Sequence, residues 1–271
     1  MPELPEVEVT CQGLKPLLKK TVHKIVIRNY SLRWPIPPNL SAVLEGQEIL
    51  EIKRRAKYIL VRFSNGTLLL HLGMSGHLYI IPEGAKPKKH DHVDFIFGNE
   101  SVILRYNDPR RFGSILWTTD NPLEHRLLKN LGPEPLEDGF HAEYLRTRLR
   151  AKSQCIKSAI MDGHNVVGVG NIYASEALFY AGIKPQRKSS KLTKKELKAL
   201  VTSIKDVINK AIVKGGSTMN DFFDVNGENG YFQNEHKVYG RKGKDCYQCD
   251  SLVLQITIGQ RSSFFCNQCQ K

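Results

Sequence analysis

Four cysteines near the C-terminus constrain this chain more than any other feature. They form two Cys-x-x-Cys pairs, Cys246/Cys249 and Cys266/Cys269, separated by 16 residues. Two such turns can present four thiolates to one tetrahedral ion, and four protein ligands leave no position for water. The spacing therefore predicts one structural Zn²⁺. Two independent redox pairs are the less favoured alternative, because two pairs at hairpin distance rarely arise by chance.

The segment between the two cysteine pairs, residues 252–265, predicts a β-hairpin with Arg261 near its turn. A β-hairpin that presents an arginine can enter a DNA groove. Taken alone, Arg261 fits an ordinary surface residue better.

The overall charge indicates a polyanionic partner. The 271 residues carry a formal net charge of +13, and 41% of them are hydrophobic, which is typical of a globular protein with room for two domains. Lysine and arginine gain affinity for nucleic acids by releasing condensed counterions. A ribosome-associated or simply basic protein is the alternative that charge alone leaves open.

The N-terminus is acidic and lacks the basic stretch and apolar run of a secretory signal. The apolar runs also fall far short of the roughly 20 residues that a membrane helix needs. We therefore expect a soluble, cytoplasmic protein without a membrane partner.

The first half of the chain predicts one helix followed by antiparallel β-structure. Pro16 should loosen the last turn of the helix. Strands are predicted at 22–27, 58–63, 67–72, 92–97 and 102–106, with turns at 64–66 and 98–100, which suggests a sandwich or a barrel. The apolar residues that share one face of the helix are Leu4, Val7, Cys11, Leu14 and Leu18.

Residues 131–135, Leu-Gly-Pro-Glu-Pro, predict a linker, and helical periodicity follows it. The clearest helix spans about 193–214. Thr193 and Glu196 form a capping box at its start, and Gly215 and Gly216 end it.

Pro2 would carry a free secondary amine once Met1 is removed. An α-amino group titrates near pH ~8, so a sizeable fraction is neutral at physiological pH and can attack a sugar C1′ carbon. Glu3 and Glu6 lie within one turn of it. Carboxylates at a helix N-terminus are also ordinary dipole partners, and chemistry alone favours that interpretation.

A series of motifs, which follow one another along the chain, instead favours the catalytic interpretation of Pro2 and Glu3. The chain opens with Met-Pro-Glu-Leu-Pro-Glu-Val-Glu, which resembles the start of the formamidopyrimidine-DNA glycosylase family. Val9 and the Cys11-Gln12 pair depart from the family pattern without touching the proposed chemistry. The resemblance continues through the whole chain in Arg54-Arg55-Ala56-Lys57-Tyr58, His71-Leu72-Gly73-Met74-Ser75-Gly76, Lys89-His90-Asp91-His92, Asn107-Asp108-Pro109-Arg110-Arg111-Phe112-Gly113, Leu131-Gly132-Pro133-Glu134-Pro135, Val167-Gly168-Val169-Gly170-Asn171-Ile172-Tyr173, Gly230-Tyr231-Phe232, Val238-Tyr239-Gly240-Arg241 and the cysteine pairs.

The resemblance implies an α+β fold and a base excision repair enzyme. The expected parts are an N-terminal catalytic β-sandwich with a leading helix over 1–131, a helix-two-turns-helix domain over 132–234, and a β-hairpin zinc finger over 235–271. Members of the family excise oxidised purines, 8-oxoguanine and formamidopyrimidines, from damaged double-stranded DNA and then cleave the strand as lyases. We expect a bacterial, nucleoid-associated monomer.

The resemblance also implies catalytic roles. Pro2 matches the nucleophile that attacks C1′ and forms a Schiff base, and Glu3 matches the acid that assists opening of the sugar ring. Lys57 matches a lysine of catalysis and lesion phosphate contact. Arg261 matches the zinc-hairpin arginine that binds phosphate and supports the later step of β,δ-elimination.

Two groups of DNA contacts follow from the same resemblance. Met74, Arg110 and Phe112 match residues that fill the duplex where the damaged nucleotide flips out, although Met74 and Phe112 could instead be core residues. The family's lesion-recognition loop corresponds to 215–231. Further DNA-binding positions are matched by His90, Lys152, Asn171 and Tyr239.

Asn171 follows a Gly-Val-Gly turn that should open a helix and expose backbone N–H groups to phosphate. That turn is weak as a signal by itself, because it also fits an ordinary helix start.

Two other functions stay open. A sister branch of the superfamily prefers oxidised pyrimidines, but the opening motif and Arg110-Arg111-Phe112 favour the purine branch. A zinc-finger DNA-binding protein without catalysis would explain the charge and the cysteines. It would leave the Pro2-Glu3 start unexplained.

Overall fold

The structure is a computed structural model that describes residues 2–98, 102–217, 225, 227 and 230–271. It divides into two compact units. Unit 1 comprises Met1–Lys129 with Gly215–Tyr231, and unit 2 comprises Asn130–Lys214 with Phe232–Lys271. The division into 1–131, 132–234 and 235–271 stays a prediction. Met1, part of the expected turn at 98–100 and most of the expected lesion-recognition loop lie outside the described residues.

Unit 1 begins with helix α1, Leu4–Gly13, and a short 3₁₀ turn follows at Lys15–Leu17. Leu18 was predicted on the buried face, and this was wrong, because its side chain is 37% exposed. Pro16 has no N–H to donate to a helical hydrogen bond, and its ring disfavours α-helical backbone in the residue before it. The α-helix therefore ends at Gly13, more than one turn before Leu18. A second short helix, α2, spans Leu40–Leu44.

Among the described residues of unit 1, eight strands form two four-stranded antiparallel sheets. One sheet has the order β1-β6-β7-β5 and the other β2-β3-β4-β8. The strands are β1 Val22–Ile27, β2 Glu51–Arg55, β3 Tyr58–Phe63, β4 Gly66–His71, β5 His77–Pro82, β6 Asp91–Phe97, β7 Val102–Asn107 and β8 Ser114–Thr118.

Both sheets contribute to one hydrophobic core, which makes unit 1 a β-sandwich as predicted. Phe95 and Phe97 enter it from the first sheet, Ile59 and Leu70 from the second, and Val7 from α1. Burial of these apolar side chains is the main favourable contribution to the stability of the unit.

Three strands escaped the sequence analysis, namely β2, β5 and β8, and each lies at the edge of its sheet. An edge strand is paired on one side only, and in β2 this leaves little apolar pattern to detect. In β2, Glu51–Arg55, none of the five residues is fully buried.

Unit 2 contains four helices and a β-hairpin. The hairpin follows the predicted span and extends one residue beyond it, to Cys266, and Arg261 is the first residue of its second strand. The elements are α3 Ala142–Leu149, α4 Ile156–Met161, α5 Asn171–Tyr180, α6 Lys194–Val213, β9 Val253–Ile258 and β10 Arg261–Cys266.

The longest helix, α6, follows its predicted cap. The Thr193 Oγ1 atom accepts from Glu196 N at 3.2 Å, and a Glu196 carboxylate oxygen accepts from Thr193 N at 2.7 Å. The capping box therefore satisfies two N–H groups that the first helical turn leaves without partners. No helix among the described residues is both long and apolar enough to cross a bilayer.

The capping box gives a stability prediction. Thr193→Ala removes the acceptor for Glu196 N, and we expect it to lower the free energy of unfolding of unit 2 by about 1 kcal/mol. Urea unfolding followed by circular dichroism measures this change. Thr202→Ala, at an exposed position within α6, is the matched control and should change stability by less than about 0.5 kcal/mol. Equal losses in both variants would contradict the cap.

Candidate active site and nucleic-acid interface

The N-terminus of unit 1 is buried and fixed by one carboxylate. Pro2 is buried, and Glu3 is 3% exposed at the start of α1. Glu6 accepts from Glu3 N at 2.7 Å with one oxygen and from Ser217 N at 2.8 Å with the other. The Cβ of any other residue at Gly216 would lie 3.0 Å from Glu6 Oε1, and Gly216 has φ +82°. Glu6 therefore joins the candidate nucleophile to the start of segment 215–231.

Lys57 lies at the turn between β2 and β3, and this turn is fastened to α1. Arg54 donates to Glu8 Oε2 on α1 at 2.7 Å and to the carbonyl of Ala56 at 3.1 Å. Ala56 itself has φ 55°, the left-handed region. The same helix therefore supports both the Pro2-Glu3 start and the Lys57 turn.

His71 lies opposite Tyr58 in the β3–β4 pairing, with the two ring centroids 4.7 Å apart. Its Nδ1 atom accepts from Gly73 N at 2.9 Å. Burial, reinforced by the charge of Lys57, lowers the pKa of His71 to about 4. A neutral imidazole at physiological pH keeps Nδ1 available as the acceptor that shapes the Gly73-Met74 turn.

The fully buried carboxylate of Asp108 connects the two loops that carry the predicted intercalating residues. It accepts from Ser75 Oγ at 2.7 Å, from Gly113 N at 2.8 Å and from Tyr106 Oη at 3.3 Å. The loops also touch directly, because a Cβ at Gly73 would meet backbone atoms of the other loop at 2.4 Å. The close contact of the two loops at Gly73 and the hydrogen bonds of the Asp108 carboxylate together fix the positions of the loops relative to each other.

Met74, Arg110 and Phe112 lie on these two loops. Met74 is 39% exposed and Phe112 is 45% exposed, so the alternative that they are core residues is wrong. The Arg110 guanidinium lies 4.8 Å from the centroid of the Phe112 ring, a cation–π contact. The structure therefore brings two exposed apolar side chains and a cation onto adjoining loops.

His90 belongs to the same neighbourhood. Its carbonyl accepts from Asp108 N at 3.1 Å, and its backbone is left-handed with φ 73°. His92 Nε2 shares a hydrogen bond of 2.9 Å with the Asp108 carbonyl. His90 is thus held beside the Arg110 loop.

In unit 2, Lys157 joins the start of α5 to the cysteine hairpin. Its side chain is only 1% exposed. The Nζ atom donates to Asn171 Oδ1 at 2.6 Å, to Ser263 Oγ at 2.6 Å and to the Ser262 carbonyl at 3.0 Å. A buried ammonium group needs such a full set of acceptors, so this contact fixes Asn171 and the residues that follow Arg261.

Tyr239 is positioned by a second buried carboxylate. Glu176, which is 0% exposed, accepts from the backbone N–H groups of Lys237, Val238 and Tyr239 at 2.8–3.0 Å. The Tyr239 hydroxyl lies 3.4 Å from Asn171 Nδ2. Two of the predicted DNA-binding residues therefore meet in unit 2.

The other two predicted positions of unit 2 are Lys152 and Arg261, and Arg261 directly precedes Ser262, whose carbonyl accepts from Asn171 Nδ2 at 3.0 Å. Lys152 donates to Asn165 Oδ1 at 2.9 Å and lies 3.8 Å from Asp162. Arg261 is exposed and follows the tight turn at Gly259 and Gln260, both of which have positive φ.

The four cysteines form one cluster that could bind a metal ion. Their Sγ atoms all lie within 4.8 Å of one another. A tetrahedron with bonds of about 2.3 Å separates its sulfur atoms by roughly 3.8 Å, so the donor set fits one ion. A single cluster does not fit the alternative of two separate redox pairs. Phe179, Val238, Val253 and Phe264 form only a small core around it.

Comparison with known proteins identifies the family. Residues 1–115 match the sequence model of the formamidopyrimidine-DNA glycosylase N-terminal domain, and residues 131–222 match that of the formamidopyrimidine-DNA glycosylase H2TH domain. The formamidopyrimidine-DNA glycosylase of Neisseria meningitidis serogroup A is 50% identical over the full length of both chains.

This chain belongs to the formamidopyrimidine-DNA glycosylase family.

Solved structures of the family share the fold. A Lactococcus lactis Fpg mutant in complex with a Fapy-dG containing DNA superposes with a TM-score of 0.93, at 32% identity and full coverage of both chains. The wild-type Lactococcus lactis Fpg in complex with an oxidised pyrimidine containing DNA gives a TM-score of 0.92, again at 32% identity and full coverage. The resemblance recognised from the motifs is confirmed.

The sequence analysis missed the supporting groups of this family member. Asp108 stood in a quoted motif without a role, and neither Lys157 nor Glu176 was singled out. The charge of each is apparent in the sequence, but burial, which gives the charge its structural role, depends on the tertiary fold.

The Asp108 contacts give a second prediction. Asp108→Asn replaces one acceptor oxygen by an NH₂ group, so at least one of the three donors loses its acceptor, at a cost of about 2 kcal/mol. We expect faster amide hydrogen exchange in residues 72–76 and 108–113 and a lower free energy of unfolding. Asp120→Asn, an exposed position of unit 1, should leave both unchanged. Unaltered exchange in the Asp108 variant would show that this carboxylate does not hold the loops.

Proposed function

We propose that this chain excises oxidised purines, 8-oxoguanine and formamidopyrimidines, from duplex DNA and then cleaves the strand at the abasic site. The observation that carries the proposal is the buried Pro2-Glu3 start, held by Glu6 through Glu3 N. The shared family, with about half of all residues identical to a named glycosylase, supports the same reaction.

Pro2 acts as the nucleophile after removal of Met1. Its neutral amine attacks C1′, the bond from C1′ to the damaged base breaks, and the base departs with the electron pair. Glu3 donates a proton to the ring oxygen as the sugar opens, which leaves a Schiff base on Pro2. Successive β- and δ-elimination then cut the strand on both sides of the abasic site. Lys57 assists catalysis and binds the lesion phosphate, and Arg261 binds phosphate and supports the later elimination.

Met74, Arg110 and Phe112 fill the space that the flipped nucleotide leaves. A base inside a duplex is unreachable, so extrusion must precede attack. A flexible thioether and an aromatic wedge can stand between base pairs, and the arginine can hydrogen-bond to the orphaned base. The exposure of both apolar side chains supports this role.

Backbone contacts hold the duplex. Asn171 and Tyr239 bind phosphate together at the start of α5, where backbone N–H groups favour anions. Lys152 and His90 add further phosphate contacts, and segment 215–231 serves as the lesion-recognition loop. We place the protein as a monomer on chromosomal DNA in the bacterial cytoplasm.

The cysteine cluster holds one structural Zn²⁺ through Cys246, Cys249, Cys266 and Cys269. Four thiolate ligands suit zinc and close its coordination. The hydrophobic core around the cysteines is small, so the bound ion contributes much of the stability of this region. It thereby keeps the hairpin that carries Arg261 folded.

Oxidised pyrimidines are the second candidate substrate class, because a solved relative holds a DNA that contains one. Both lesion classes therefore belong in the test of the reaction.

The nucleophile is tested by borohydride trapping. The purified protein is incubated with labelled duplexes that carry 8-oxoguanine opposite cytosine or an oxidised pyrimidine, and the imine is then reduced. We expect a covalent protein–DNA band that is strongest for 8-oxoguanine and is lost in Pro2→Gly, while lesion binding persists.

Pro38→Gly, at an exposed loop proline, is the control and should trap normally. Full trapping by Pro2→Gly would overturn the nucleophile assignment. Binding without trapping on either lesion, with Met1 shown to be absent, would favour the zinc-finger protein without catalysis.

The zinc site gives a fourth prediction. The purified protein should contain about one Zn²⁺ per chain, and Cys249→Ser or a strong chelator should remove the ion and reduce DNA binding at least tenfold by unfolding the hairpin. Atomic absorption and fluorescence anisotropy measure the two effects. Cys155→Ser, which changes a cysteine outside the cluster, should retain both metal and affinity. Unchanged affinity without metal would refute the structural role.

A further inference from the structure

One surface loop of unit 1 combines a high positive charge with a firmly held backbone. We call residues 83–89 the lysine loop. Lys86, Lys88 and Lys89 are all exposed, and Glu83 is the only acidic residue in the loop. Exposed lysines are usually solvated and carry no further role. The contacts of this loop's backbone distinguish it from that ordinary case.

A buried arginine binds the first half of the lysine loop. Arg105 on β7 is 4% exposed and donates to the carbonyls of Ala85 and Lys86 at 2.9 and 3.1 Å. Its charge is balanced by Asp94, at 2.7 Å, and by Asp91, at 3.4 Å. Burying three charged groups costs several kcal/mol unless their hydrogen bonds are complete. The carbonyls of the exposed loop accept the hydrogen bonds of Arg105 that its carboxylate partners do not accept.

The second half of the lysine loop is bound to the segment that leads to Arg110. The carbonyl of Lys89 accepts from Asn107 Nδ2 at 3.2 Å, and Lys88 N donates to Asp91 Oδ2 at 2.6 Å. The next carbonyl, that of His90, accepts from Asp108 N at 3.1 Å. The three lysines therefore stand on a fixed backbone that continues into the Arg110 loop.

We propose that the lysine loop is an additional contact surface for the DNA phosphate backbone, adjoining His90 and Arg110. This inference rests on the proposed function, because it assumes that His90 and Arg110 face DNA. Phosphodiester groups are the polyanion that clustered ammonium groups on a fixed backbone would bind. Each lysine can neutralise one phosphate and release its condensed counterions. The contacts carry no base information, so they strengthen binding to damaged and undamaged duplexes alike.

The test is the salt dependence of DNA affinity. The triple variant Lys86→Ala, Lys88→Ala, Lys89→Ala is compared with the wild-type protein on a duplex with an abasic-site analogue and on its undamaged counterpart. Kd is measured by fluorescence anisotropy between 50 and 300 mM NaCl. Each lost phosphate contact should reduce the slope of log Kd against log salt by about 0.9, so the triple variant should lose about 2–3 units of slope on both duplexes.

Two further variants distinguish an effect of the position of the lysines from an effect of the net charge of the protein. The triple variant Lys194→Ala, Lys195→Ala, Lys198→Ala removes the same charge from the exposed face of α6 and should keep the wild-type slope. The triple Lys-to-Arg variant of the lysine loop should also keep it, because the charge is retained. Circular dichroism melting should show the same Tm for all variants, since the altered side chains are exposed.

An unchanged slope in the lysine-loop variant, with lesion binding and trapping intact in the wild-type protein, would overturn this inference and leave the proposed function standing. Equal losses of slope in the α6 variant would also overturn it, since net charge alone would then explain the effect. A wild-type protein that binds neither duplex would overturn the proposed function, and the inference with it.

Discussion

The buried carboxylate of Asp108 joins two loops that would otherwise be separate connections of the β-sandwich. A fully buried charge is stable only when its hydrogen bonds are complete, and the hydroxyl of Ser75 and the N–H of Gly113 supply them from different loops. Neither loop can move without leaving that charge under-solvated. Met74 and Phe112 can therefore stay exposed in a fixed arrangement, although apolar side chains on free loops would tend to collapse.

The same arrangement recurs at three other places where the chain presents a candidate functional residue. Glu6 holds the start of α1, Glu176 holds the backbone of Tyr239, and Lys157 joins Asn171 to the hairpin. In each case one buried ionic group bonds to the backbone or side chains of the segment that carries a candidate residue. Loss of one partner leaves a buried charge uncompensated, so these positions tolerate substitution poorly. Arg105 follows the same rule beneath the lysine loop, which is why that loop differs from an ordinary basic run.

Much of the architecture could be predicted because its signals are local. The capping box of α6 and the cysteine spacing each depend on residues close in sequence. The predictions failed where contacts between distant segments, and not the local sequence pattern, determine the structure. Leu18 has the right spacing for the buried face, but Pro16 ends the helix before it. The edge strand β2 carries charged residues and no buried one, so its pairing with β3 left no apolar pattern to detect.

The sequence by itself determined the family, the sandwich and helical parts, and which residue types stand at the candidate positions. Motifs and short-range periodicity are sufficient for these, because they reflect backbone geometry and ligand spacing within a few residues. Tertiary structure alone decided which charges are buried, and therefore which loops are held in place. Burial depends on segments far apart in the chain, such as Ser75 and Asp108 or Lys157 and Ser263, and no local pattern encodes that separation.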